Sequence, residues 1–165
     1  MKTIDIVAII ANISLALSFI IAVIFGITQT RSAARDRKER LTLEALRNFQ
    51  SREFSELLVY INQSKLPTSF EDWQKLPTND HILLLQFSQE MESLGILVAE
   101  KYVNIDLVDK TIGTVVTSSW EKMKPWILDA REKLPDPFLN EYFQWLSERL
   151  DEQLKRNKRQ PFYQA

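Results

Sequence analysis

One histidine, His81, a scatter of carboxylates and a single basic and aromatic cluster are the residues with which this chain could do chemistry. A zinc pair needs a second histidine or a thiolate, and cysteine is absent altogether. The same absence removes disulfides and cysteine nucleophiles. A di-iron bundle is closed as well, because it needs two Glu-x-x-His pairs. The sequence has no Gly-x-Ser-x-Gly and no Walker loop, and its only glycines are 26, 95 and 113. His81 falls at a helix start, where the expectation is a solvent-facing or capping ring. Lys122, Lys124 and Arg131 lie near Trp120 and Trp126. They would make an anion pocket if they converged, but basic side chains snorkelling around buried indoles are the ordinary outcome and the one expected. Acidic residues at helical spacing read as a solvated face. The expectation is therefore no catalytic residue, no metal, no cofactor and no small-molecule substrate.

What must position these residues begins with Ile6 to Ile27, a run without a charged residue. At 1.5 Å per residue it reaches roughly 33 Å, enough to cross a hydrocarbon core of about 30 Å. A cleaved signal peptide would have a basic start and a shorter core, whereas only Lys2 precedes this run. An uncleaved single-pass anchor is expected. Within the run Ser14, Ser18, Ala22 and Gly26 recur every fourth residue, a small-residue ladder that lets a second helix approach closely, and Asn12 offers an amide that seeks a partner. Directly after it stand Arg31, Arg35, Arg37, Lys38 and Arg40, against Lys2 alone on the other side. Basic residues favour the cytoplasmic flank, so residues 1–5 are expected outside and the rest of the chain inside.

About 138 residues follow the span, one domain by size. Residues 31–40 carry five basic and two acidic side chains, and Lys155, Arg156, Lys158 and Arg159 form a second basic run. Between them, residues 41–154 hold 11 basic and 19 acidic residues, net −8. An acidic body between two basic runs suits an anionic membrane surface and not nucleic acid. Membrane lipids are one expected partner; a protein partner or a second copy is the other.

The pattern along the chain is helical. Residues 28–50 read as a stalk with Leu43, Leu46 and Phe49 on one side, ending in a bend near Gln50. Residues 51–154 read as a helical domain. Ser51 caps a helix with Phe54, Leu57, Leu58 and Ile61 inward; Ser69 and Asp72 cap a short turn whose Phe70 and Trp73 plug the core. Asn79 or Asp80 starts a helix with Leu84, Phe87, Met91 and Leu94 inward, which Gly95 ends in a left-handed conformation. Ile96 to Val103 is a buried connection or a further helical turn. Asn104 or Asp106 caps a helix carrying Val108, Ile112, Val115, Val116, Trp120 and Met123. Pro125 either kinks it or separates it from a helix capped by Ser118 and Glu121. Asp136 and Pro137 then start a last helix with Phe138, Tyr142, Trp145, Leu146, Leu150 and Leu154 inward, and residues 155–165 form a basic tail.

Five stretches resemble a bacterial family of uncharacterised small membrane-anchored proteins. They are Phe49-Gln50-Ser51-Arg52-Glu53-Phe54, Glu92-Ser93-Leu94-Gly95-Ile96-Leu97-Val98, Trp120-Glu121-Lys122-Met123-Lys124-Pro125-Trp126, Ala130-Arg131 and Tyr142-Phe143-Gln144-Trp145-Leu146. The resemblance implies one N-terminal transmembrane helix and a helical cytoplasmic domain, and it implies no reaction. The expected fold is all-α, a single N-terminal transmembrane helix followed by a compact cytoplasmic helical bundle. The expected function is a non-catalytic, membrane-tethered adaptor or accessory subunit. The alternative is a self-assembling membrane effector of a stress or phage-defence response.

Overall fold

The computed structural model describes residues 3–156 and 163, with side chains from residue 11. It is all-helical, and no strand occurs among the described residues. The order is α1 (Thr3–Asn48), α2 (Arg52–Gln63), α3 (Phe70–Gln74), α4 (Thr78–Ala99), α5 (Ile105–Lys133) and α6 (Glu141–Arg156). The chain divides into two units, Met1–Arg40 and Leu41–Ala165.

The first unit is α1 up to Arg40. Its apolar side chains, Leu15, Phe19, Ile21 and Phe25 among them, are exposed. This helix is long and apolar enough to cross a membrane, and none of its most apolar window is buried. Among the described residues α4 also passes on length and composition, but it buries Leu84, Phe87, Ser88, Met91, Leu94, Gly95 and Val98 and is the core helix of the second unit.

In the second unit α4 packs against α6 and α2, while α5 packs against α6 and α3. The core is a chain of rings: Phe49 meets Phe54 edge-on, Phe54 stacks on Phe87, and Phe143 contacts both Phe87 and Trp120. Such pairs contribute about 0.5–1.5 kcal/mol each beyond area burial. α1 enters this unit through Thr42 and Leu46, which are buried, with Ala45 and Phe49 beside them. Leu43, expected on that face, is instead 63% exposed. The buried stripe is set by Thr42, whose hydroxyl reaches the Tyr102 carbonyl at 3.4 Å.

Three caps follow the local sequence. Ser51 accepts from Phe54 N at 3.1 Å, Ser69 from Asp72 N at 3.1 Å and Asn104 from Asp106 N at 2.9 Å. α1 ends at Asn48 and the chain turns over residues 49–51, where the bend near Gln50 was expected. Pro125 lies inside an unbroken α5. The carbonyl it leaves without a donor belongs to exposed Glu121, where water can serve it, so the helix continues.

Other expectations change. α4 begins at Thr78 with Pro77 as its cap residue and runs through Gly95 to Ala99. Gly95 is glycine because α6 crosses it: an added Cβ would collide with the Tyr142 backbone, 2.6 Å from its carbonyl carbon. The left-handed position falls to Lys101, with φ 61°. Tyr102 N donates to Leu97 O at 2.9 Å and Lys101 N to Val98 O at 3.0 Å, a Schellman ending. α6 begins at Glu141 and not at Pro137. Asp136 does cap, accepting from Phe138 N at 3.1 Å, but only one turn forms before Asn140 enters the left-handed region at φ 57°. That break rotates the buried face to Phe143, Leu146, Ser147 and Leu150, leaving Phe138 66% exposed.

Candidate functional site

His81 is not a solvent-facing ring. It is half-buried, its ring meets that of Trp73 at a tilt of 37° with 4.5 Å between centroids, and its Nε2 donates to the Trp73 carbonyl. The Trp73 carbonyl near the end of the five-residue α3 already accepts from Leu76 N at 3.1 Å, and His81 adds a second donor to it from α4. Trp73 in turn stacks between Phe70 and Trp126. The imidazole is committed to holding α3 against the bundle.

The basic cluster does not converge. Lys122 Nζ donates to Asn62 Oδ1 of α2 at 2.6 Å, and Lys124 pairs with Glu121 at 3.9 Å. Arg131 braces the turn before α6: its Nε donates to Leu139 O at 2.8 Å and its Nη1 to Gln144 Oε1 at 2.6 Å. The same turn is held from α4. Ser88 Oγ donates to Asn140 Oδ1 at 2.5 Å, and the Glu92 carboxylate accepts from Phe143 N at 2.8 Å and Tyr142 N at 3.2 Å. Glu92 thus caps α6 from a neighbouring helix, supplying negative charge where the first-turn amides lack partners. Burial pushes its pKa above the ordinary glutamate value, and those two amides partly offset the rise. These groups build the fold. Among the described residues, no cluster of three or more His, Asp or Glu is arranged to hold a metal ion.

The membrane-related positions occupy exposed faces. Asn12, Ser14, Ser18, Ala22 and Gly26 are exposed on α1. Ser18 Oγ donates to the Ser14 carbonyl at 2.8 Å, so its hydroxyl is satisfied within the helix, and the space around Gly26 is open. Arg31, Arg35, Arg37, Lys38 and Arg40 are exposed, with Arg35 paired to Glu39 at 3.0 Å. Lys155 and Arg156 end α6 on its exposed side, while Lys158 and Arg159 lie outside the described residues.

A feature with no local sequence signal lies in the second unit. The last turns of α1 and the outer side of α4 enclose an open groove of about 320 Å³, walled by Ala45, Phe49, Leu94 and Leu97. Asn48, Gln86, Gln89 and Ser93 add neutral hydrogen-bonding groups. Its one charge is Glu90, half-buried, which accepts from Asn48 Nδ2 at 2.7 Å and from the Gln86 amide. Burial raises the Glu90 pKa above its ordinary value, against the lowering by these amides. Asn48 and Glu90 are 42 positions apart, which is why only the tertiary packing reveals the pair.

Neither a curated protein nor a solved structure matches the chain. A family described as a domain of unknown function, DUF4760, matches residues 14–150, which takes in the apolar helix from Ser14 and the helical unit as far as Leu150. With most of its length inside that match, the chain belongs to the DUF4760 family.

Proposed function

We propose that this protein is a bacterial single-pass inner-membrane adaptor or accessory subunit that performs no reaction itself and binds a protein partner from a cytoplasmic helical domain. The observation that carries this reading is the exposed apolar surface of α1. Side chains such as Leu15, Phe19 and Phe25 stay exposed among the described residues, and lipid is the solvent that would accept them. Arg31 to Arg40 follow that surface directly, and five basic residues there favour the cytoplasmic side. Basic groups close to anionic lipid contribute about 1 kcal/mol each, so this segment and the run from Lys155 can both engage the leaflet.

The test is affinity isolation of the detergent-solubilised protein from its native membrane, followed by the mass of the intact complex. A heteromer of fixed ratio is the expected product, and a bare monomer would contradict it. A second reading, the self-assembling membrane effector, draws on the ladder from Ser14 to Gly26, whose face is free of hydroxyl demand at Ser18 and open at Gly26. It predicts a homo-oligomer that dissociates when Ser18, Ala22 and Gly26 are replaced by leucine, and toxicity on overexpression that requires the intact span.

A further inference from the structure

We infer that the groove between α1 and α4 is the docking site for a partner's amphipathic helix, one that lays an apolar stripe along α4 and directs a lysine or arginine to Glu90. The inference rests on the adaptor reading and specifies where the partner binds. The surface is elongated. Ile82, Leu85, Gln89, Ser93 and Ile96 recur on α4 at three- and four-residue intervals, opposite the core residues, and all are exposed. From Ile82 to Ile96 the stripe runs about 21 Å, four turns of helix. Gln89 and Ser93 belong both to the stripe and to the groove, so the two form one continuous surface. Apolar anchors at i, i+3, i+4 and i+7 are how a helix fills such a surface.

Charge selects the occupant. Glu90 is the only charged group in the groove, and two amides hold its carboxylate in place. Keeping that carboxylate ionised while half-buried costs stability, a cost that an incoming cation would offset. Residues 41–154 carry net −8, which favours a basic approaching segment. A second copy fits poorly, because α4 has no lysine or arginine and two α4 stripes face to face would bring Glu90 near Glu90. Lipid fits poorly too, since Asn48, Gln86 and Gln89 would lose hydrogen bonding in hydrocarbon and Glu90 would repel anionic headgroups.

The test uses the full chain in its native membrane. A photoreactive phenylalanine analogue replaces Gln89 or Ser93, with Glu132 on the outer side of α5 as control, and the cross-linked peptide is sequenced. The expected result is cross-linking from Gln89 and Ser93, not Glu132, to a helical segment of another protein that carries a basic residue beside apolar ones. Glu90→Lys should reduce partner recovery at least about tenfold, and Glu90→Gln should reduce it less, as loss of one charge pair without repulsion. Ser93→Arg, at an exposed position, should block equally well and decides the matter if Glu90→Lys fails to fold. Cross-links only to a second copy or to lipid would overturn the inference, as would full partner recovery by Ser93→Arg. If the heteromer forms but bypasses the groove, this inference alone fails; if no heteromer forms, the adaptor reading fails with it.

Discussion

Gly95 shows how a single residue is dictated by its neighbour across the core. By helix propensity alone Gly95→Ala should stabilise α4 by about 1 kcal/mol. Because the new methyl meets the Tyr142 backbone, which cannot swing aside as a side chain could, the expected outcome is the reverse. We predict a loss of about 1–3 kcal/mol, typical of overpacking, measured by denaturant unfolding. Glu90 gives a second prediction at this scale. A carboxylate whose folded pKa lies above its unfolded one binds its proton more tightly when folded, so it lowers stability as pH rises through that window. Glu90→Gln should therefore be neutral or stabilising at pH 7, with the difference from wild type shrinking as pH falls to the ordinary glutamate range. Asp129 has the opposite sign. Lys133 and the Phe70 amide hold its pKa down, so its contribution is present above the ordinary aspartate value and disappears as pH falls through the lowered one. Unfolding curves between pH 3 and 7 on the Glu90→Gln and Asp129→Asn variants should diverge in opposite directions.

Among the elements, helix starts governed by the chain's own side chains were readable, and those governed by other helices were not. Ser51, Ser69 and Asn104 each bond an amide two or three residues ahead, so sequence spacing is sufficient. The inward faces of α2, α4 and α5 were readable for the same reason, since helical periodicity is local. The start of α6 depends on Glu92, Ser88 and Arg131 gripping residues 139–144 from two other helices, so Asp136 and Pro137 pointed to a helix that lasts one turn. The groove was invisible for the same reason: Asn48 and Glu90 meet only after α1 and α4 pack. Lys101 offers a test. It takes the left-handed position that Gly95 was expected to hold, at a cost of about 1 kcal/mol for a residue with a Cβ. Lys101→Gly should recover much of that in a thermal melt, whereas a loss of stability would mean that the ending of α4 is held by something other than its backbone geometry.

For the whole molecule the decisive contrast is between its two units. Leu41–Ala165 contains every buried residue among those described, so a fragment starting at Leu41 should fold cooperatively in aqueous buffer, checked by circular dichroism and a single melting transition. In Met1–Arg40 every described side chain, from residue 11 on, is exposed. In the topology proposed above, α1 crosses the membrane and leaves the helical domain in the cytoplasm. The absence of native cysteine makes that directly measurable, because every introduced thiol is unique. Single-cysteine variants Thr3→Cys and Glu132→Cys would be treated in intact cells with a membrane-impermeant maleimide, then again after lysis, with the membrane pellet washed at alkaline pH. Thr3→Cys is expected to be labelled from outside and Glu132→Cys only after lysis, with both proteins staying in the pellet. Labelling of Glu132→Cys in intact cells, or release of the protein by the alkaline wash, would contradict that topology.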